Sequence, residues 1–456
     1  MRKLTRFEKI SLAVILGLAM IFAGLWLTSR FLGVRLPSVT DPQGQPQIGG
    51  RGPVVFRFAN AMNRSSVEAS IQFIPQQSGR WEWINDREAY FYPGTAFTAG
   101  TTVQVRFAAG MSDQSGRQLN TDTESAFVIR PAQIVYIGNP NSLPELWSIL
   151  AQSKAQPKQL TNTGGKVYDY AISPDGQKIL YSRVNFRGGT ELVVIDRDGS
   201  NEKVLLDCGE ESCVQPAWAD NITVAYSHFD SQAYSSLNIT TAQLYSINTN
   251  TGSNGLIFTN PGVFGINQKF SPDGNTLGYY DAGAGGIRLV NLQDGSSQVI
   301  PTQVSVMGSW SPDGASLIYT ELSPEALAPY LSLYKVNLVD QSIASLTPDS
   351  TQLLDFSLPE YSADGQNLVV GVRSVNNQSY KQLWLLDSAG NFQQAITAEP
   401  MLAHASYHWA PSGDWLVYQQ IDLSQKNNDP EVVLWNRSSD AYIALVKAAA
   451  LPEWLP

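Results

Sequence analysis

The feature that most constrains this chain is a short turn that recurs together with its flanks. It reads Trp310-Ser311-Pro312-Asp313-Gly314, followed by an apolar run ending at Tyr319. Proline presets φ for a type I turn, aspartate can accept bonds from neighbouring N–H groups, and glycine is favoured at the close. The unit is a hairpin. It recurs as Ile172-Ser173-Pro174-Asp175-Gly176, Phe270-Ser271-Pro272-Asp273-Gly274, Tyr361-Ser362-Ala363-Asp364-Gly365 and Trp409-Ala410-Pro411-Ser412-Gly413. The turns start at 173, 271, 311, 362 and 410, so the gaps are 98, 40, 51 and 48. The first gap is two repeats long and holds a degenerate copy, Pro216-Ala217-Trp218-Ala219-Asp220-Asn221. Periods of about 40–50 residues carrying several short strands each predict propeller blades.

Each blade can be laid out as four strands. The first ends at the aromatic before the turn, and the second carries Tyr181, Tyr226, Tyr279, Tyr319, Val370 or Tyr418. A Leu-x-x-x-Asn/Asp pattern marks the third, as at Leu192 to Asp196, and a brief fourth often ends in Leu-Thr or Ile-Thr. The segments at Gln133, Glu145 and Lys158 supply a second, third and fourth strand without a first. The terminal Leu451-Pro452-Glu453-Trp454 matches Leu358-Pro359-Glu360-Tyr361 in its apolar, Pro-Glu and aromatic positions. The C-terminus is therefore expected to complete that blade and close the ring, which removes exposed sheet edges. The count is seven blades, with six as the alternative.

Net charge and the N-terminus bound the function. A formal net charge of −10 argues against a nucleic-acid partner, which needs clustered Lys and Arg. Arg2, Lys3, Arg6 and Lys9 precede an apolar run from Ile10 to Thr28. At roughly 20 residues this run can span a hydrocarbon core, and the basic flank predicts a cytoplasmic tail. A cleaved secretory signal is the competing reading. The expected organisation is a tail at 1–9, a transmembrane anchor at 10–28, a stalk at 29–37, a β-sandwich at 38–130 and the propeller at 131–456. The chain is then all-β apart from one N-terminal transmembrane helix, single-pass in the cell membrane, with its bulk extracellular or periplasmic.

Between 38 and 130 the alternation has period two, with Gly, Pro, Asn and Asp between the runs, which predicts a sandwich of short strands. Phe56-Arg57-Phe58-Ala59-Asn60-Ala61-Met62-Asn63, Ser66-Val67, Phe91-Tyr92-Pro93, Gly100-Thr101-Thr102 and Asp113 through Gly116 resemble bacterial Ig-like domains of the SbsA type. That resemblance implies a spacer. The repeats from 133 to 456 resemble the TolB-type, WD-repeat-like propellers, which implies a protein partner at the cell envelope.

The sequence offers no recognisable catalytic or metal motif. Gly-x-Ser-x-Gly is absent, and Asp196-Arg197-Asp198-Gly199 lacks the Gly and Glu spacing of a calcium loop. No catalytic residue, cofactor or metal is assigned. Cys208 and Cys213, the only cysteines, are candidates for a disulfide, with free thiols as the alternative. His404 and His408 could share one face of a strand, but no third ligand accompanies them. The loops between second and third strands hold a candidate partner-binding rim of Phe186, Arg187, His228, Phe229, Tyr234, Tyr330, Tyr380 and Lys426. The expectation is a membrane-anchored, extracytoplasmic binding or scaffold protein whose propeller meets another envelope protein or a cell-wall glycan. The alternative is a carbohydrate-active lyase or hydrolase using Tyr168, Asp169, Asp355, His404 and Tyr407 in the propeller funnel.

Overall fold

The computed structural model describes residues 15–21, 34–230, 242–258, 263–323, 330–347, 353–376 and 380–456. The chain divides into two compact units, Met1–Arg130 and Pro131–Pro456.

The first unit contains two four-stranded sheets. One runs Ser38–Thr40, Val54–Arg57, Glu88–Pro93, Gly79–Asn85, and the other Gln47–Ile48, Thr123–Ile129, Thr102–Phe107, Ile71–Ile74. Alternation along each strand sends one set of side chains inward. Phe56, Phe73, Phe91, Phe107 and Phe127 meet there with Met62 in one core. The alternation is interrupted once: Arg64–Ser70 is a helix, capped by the Asn63 side chain accepting from the Ser66 N–H, and the next strand starts at Ile71. An asparagine at the N-cap satisfies a backbone donor that a strand would have placed in a ladder.

The second unit is a propeller of seven four-stranded sheets among the described residues. In chain order the first strands of blades 2 to 7 are Val167–Ile172, Ser212–Trp218, Ile266–Phe270, Ser309–Trp310, Leu354–Tyr361 and Leu402–Trp409. Blade 1 is composite. Its sheet runs Lys158–Gln159, Glu145–Leu150, Gln133–Gly138, and then the C-terminal Ala449–Leu455, with Leu455 opposite Gln133.

The recurrent turn is a closed hydrogen-bond unit. In blade 5 the Ser311 hydroxyl donates to Asp313 Oδ1 (2.6 Å) and accepts from the Ser316 N–H (2.9 Å), while Asp313 Oδ1 accepts from the Ala315 N–H (3.0 Å). Gly314 donates to the Ser311 carbonyl (2.8 Å) with φ of 70°, the left-handed conformation that favours glycine. Ser173, Ser271 and Ser362 repeat the pattern with Asp175, Asp273 and Asp364. Blade 3 substitutes Asp220, whose Oδ1 accepts from Ile222 (2.7 Å) and Thr223 (2.6 Å). Beyond the turn, Tyr181, Tyr226, Tyr279, Tyr319, Val370 and Tyr418 occupy one buried position of the second strands.

Consecutive blades are hydrogen-bonded around the whole ring through their first strands or the residues leading into them. Asp169 of blade 2 accepts from the Gln215 N–H of blade 3 (2.6 Å), and Gln215 Nε2 donates to Asn267 of blade 4 (3.0 Å). Asn267 Nδ2 reaches the Ser305 carbonyl ahead of the first strand of blade 5 (2.7 Å). Tyr361 N donates to Ser309 (3.3 Å), linking blades 6 and 5. Glu360 meets His408 Nδ1 (2.9 Å), linking 6 and 7, and Trp454 Nε1 donates to the His408 carbonyl (2.8 Å), linking 1 and 7. The Tyr170 hydroxyl donates to the Leu451 carbonyl, completing the circuit between blades 2 and 1. The first strands are therefore the innermost ones, and they face the propeller axis.

The expected membrane anchor is not supported. Residues 15–21 are helical, and among the described residues no helix is long and apolar enough to cross a membrane. Seven residues at 1.5 Å each cover about 10 Å, against the ~30 Å of a hydrocarbon core. The rest of the expected span and the tail at 1–9 lie outside the described residues, so the single-pass, N-terminus-inside arrangement is withdrawn.

Candidate functional site

The axis-facing surface follows from a defect repeated in the innermost strands. Counting back from the residue before each turn, the third position is Gln215, Asn267, Leu358, Ser406 and Leu451 in blades 3, 4, 6, 7 and 1. All five take a left-handed backbone, with φ of 58°, 56°, 46°, 43° and 51°. A register shift accompanies each of them. A bulge reverses the in-out alternation of the strand and re-aims its side chains. The next residue, such as Pro359, Tyr407 or Pro452, is buried, and the one after it is accessible again. Leucine in this conformation is costly. Yet Leu358 and Leu451 are 44 % and 45 % exposed, so core packing does not account for them.

These bulges divide this surface into two levels. At the bulge itself, one arc is polar: Asp169 accepts from the Gln215 N–H and, through a very short bond, from the Ser182 hydroxyl, and Gln215 Oε1 accepts from the Asn267 N–H (3.1 Å). Burial raises the Asp169 carboxyl to about 6, against the opposing pull of these bonds. The facing arc carries Leu358, Ser406 and Leu451. Two residues further along, nearer the turns, the accessible positions are Ala171, Ala217, Lys269, Ser309, Glu360, His408 and Glu453. Four of the seven are ionisable.

The charged members interact. Glu360 holds His408 Nδ1 and also accepts from the Trp409 N–H (2.9 Å). Burial alone would lower the His408 imidazole, but the Glu360 carboxylate, with help from Glu453, carries it above the ordinary histidine value. Glu453 is raised, first by burial and then by the Glu360 charge, with His408 and Lys269 opposing. Lys269 Nζ lies 3.4 Å from the Gly308 carbonyl. Glu453 is in electrostatic contact with the other three, but its carboxylate has no hydrogen bond or ion pair among the described residues.

Of the funnel set expected for catalysis, Asp355 and His404 both meet Lys381, while Asp169 is held in another blade. Asp355 is buried against Arg373 Nε (2.7 Å), Lys381 Nζ (3.4 Å) and the Leu331 N–H (3.0 Å). His404 Nδ1 contacts the Lys381 carbonyl (3.2 Å), and burial lowers it to about 4. The Tyr407 hydroxyl is fixed between the Ser357 carbonyl (2.7 Å) and the Gly371 N–H (2.8 Å). Asp169 is held in blade 2, and Tyr168 is 50 % exposed. The bulge at Ser406 separates the environments of His404 and His408, which simple alternation would have placed on one face.

The rim residues lie between second and third strands, at the blade ends opposite the recurrent turns. Phe186 is 82 % exposed, with the Arg187 guanidinium 5.0 Å from its ring centroid. Arg187 also approaches Asp207 (3.7 Å). His228 Nε2 contacts Glu211 (2.6 Å) and packs edge-on to Tyr245. Phe229 and Tyr330 are half-buried, while Tyr380 and Lys426 are exposed. Tyr234 lies outside the described residues. Cys208 and Cys213 are disulfide-bonded beneath this rim, where Cys213 is fully buried.

Residues 38–128 match the bacterial Ig-like domain family. The chain is also similar to solved structures. TolB from Acinetobacter baumannii is 16% identical, covering 79% of this chain and 80% of that one, with a TM-score of 0.43. An oligogalacturonate lyase from Vibrio parahaemolyticus is 15% identical, covering 71% and 95%, at 0.48. A prolyl endopeptidase is 12% identical at a TM-score of 0.52, covering 78% of this chain and 49% of that one. At these identities likeness extends to the fold alone, and of the three only the last is close enough in shape to bear on it.

Proposed function

We propose that this chain is a binding protein whose propeller receives a segment of a partner protein in its axial channel, with the exposed rim as a secondary contact. One observation carries the reading: the innermost strands of five blades put a non-glycine residue into left-handed backbone at one register position. Two of these are exposed leucines. Strain that brings the fold no packing is a mark of a presented surface. The polar arc of Asp169, Gln215 and Asn267 facing Leu358 and Leu451 suits a peptide with one hydrogen-bonding and one apolar edge. The aromatic and cationic rim at Phe186 and Arg187 has the composition of a partner-contact surface.

Glycine tests this directly, because it removes a side chain while tolerating φ near +50°. Partners captured by crosslinking on the wild-type chain are compared with those on Leu358→Gly/Leu451→Gly and on Phe186→Ala/Arg187→Ala. Loss of the same partner from the glycine variant, with its unfolding midpoint retained, is the expected result. Identical partner sets on all three chains would sink the channel reading.

A further inference from the structure

Beyond that reading, and resting on it, the charged ring assigns a chemical identity to what enters the channel. We propose that Glu453 is the receptor for a single basic side chain, Lys or Arg, on the inserted segment. The cation sits at the Glu453 carboxylate and its aliphatic stem lies on Leu451 and Leu358.

Three observations converge. First, Glu360 has His408 and the Trp409 N–H, and Lys269 has the Gly308 carbonyl, whereas Glu453 has no donor among the described residues. A carboxylate only partly in contact with water and left without a donor is unfavourable, and a cation that reaches it recovers that cost. Second, the ring has an opening beside Glu453. The adjacent blades 2 and 3 present Ala171 and Ala217 at the equivalent positions, so no side chain of length fills the space. Third, the exposed Leu451 stands two residues before Glu453 on the same strand. The bulge returns both residues to the accessible side, so an apolar surface and the carboxylate are near neighbours on one strand, as a lysine's aliphatic stem and cationic head require. An apolar stem and a cationic head therefore meet apolar and anionic surface in the right order.

Lys269 gives the proposal a signed test. Blade 4 lies across the seven-membered ring from blades 7 and 1, and Lys269 acts electrostatically on both His408 and Glu453. It repels an incoming cation. Removing Lys269 should strengthen binding and removing the Glu453 charge should weaken it, a pair of opposite effects that general damage to the fold cannot produce.

The probes are n-hexylammonium, which reproduces the stem and head, with hexanoate and hexanol as controls. Binding to the full chain is followed by saturation-transfer NMR and titration calorimetry. Hexylammonium should bind and hexanoate should not, Glu453→Gln should weaken hexylammonium by about tenfold, and Lys269→Met should tighten it by about threefold. Leu358→Ala, which leaves every charge in place, should weaken it by about threefold. Equal binding of hexylammonium and hexanol, no binding of hexylammonium to the wild type, or an unchanged affinity in Glu453→Gln would each overturn the proposal. Partner capture that survives on the wild type but is lost on the glycine variant, with no hexylammonium binding, would leave the channel reading standing and remove only the basic side chain.

Discussion

A single left-handed leucine illustrates how much this ring gives up at individual residues. For an L-residue with a Cβ that conformation costs roughly 1–2 kcal/mol, while glycine returns about 0.5–1 kcal/mol of that in chain entropy. Leu358→Gly and Leu451→Gly should therefore move the thermal midpoint by no more than about 3 °C; a fall well beyond that would make these leucines packing residues. The turn aspartates give a second prediction at this scale. Asp273 and Asp313 are held below the ordinary aspartate range, first by their serine hydroxyls and then by neighbouring N–H groups, and Asp364 is also lowered although burial opposes it. A lowered folded-state pKa contributes stability that is complete above the unfolded value near 3.9 and is lost as pH falls below it. Urea midpoints at about pH 6 and about pH 3 should fall less in Asp313→Asn than in the wild type, since the variant lacks one of these groups. An equal fall would show that the turn carboxylate does not contribute. The Ser-Asp-Gly part of this chemistry was legible in the sequence because it depends on six adjacent residues, Ser311 to Ser316 in blade 5. The ring of Lys269, Glu360, His408 and Glu453 was not, because its members come from four blades and share only a position. Aligning the repeats on the aromatic before the turn would have put all four in one column.

At the scale of the strand, the closing element was readable because Leu451-Pro452-Glu453-Trp454 repeats Leu358-Pro359-Glu360-Tyr361, and both segments carry the same bulge. The bulge itself was hidden. Hydrophobic alternation has the same appearance whether or not one residue has been inserted, which is why His404 and His408 looked like neighbours on one face. The closing strand is held from both sides: the Tyr170 hydroxyl shares its one proton between the carbonyls of Leu451 and Val135, and Leu451 N donates to Gln419 Oε1 (3.0 Å). Tyr170→Phe keeps the ring's shape and removes the donor, so it should cost about 1–2 kcal/mol in urea unfolding. No loss of stability would mean that closure depends on the ladder with Gln133–Gly138 alone.

The whole propeller unit is a circle of blades whose only covalent break lies inside one sheet. Deleting residues 451–456 should lower the melting temperature by more than any of the single substitutions above, because it bares the Gln133–Gly138 edge and uncovers Ile134 and Val135, both fully buried. The unfolding curve should also broaden, as blades joined in a row uncouple more easily than blades joined in a ring; a sharp transition at the wild-type temperature would argue against closure as a source of cooperativity. The same geometry sets an order in time. Gln133–Gly138 is made before the other propeller strands, and its inner partner Ala449–Leu455 after all of them. Tyr170 and Leu451, which touch across the seam, are 281 residues apart in the chain. At about 5–20 residues per second a ribosome leaves that interval open for tens of seconds. Until it ends, the first blade exists as three strands with a bare inner edge, and the chain is most exposed to mispairing during its own synthesis.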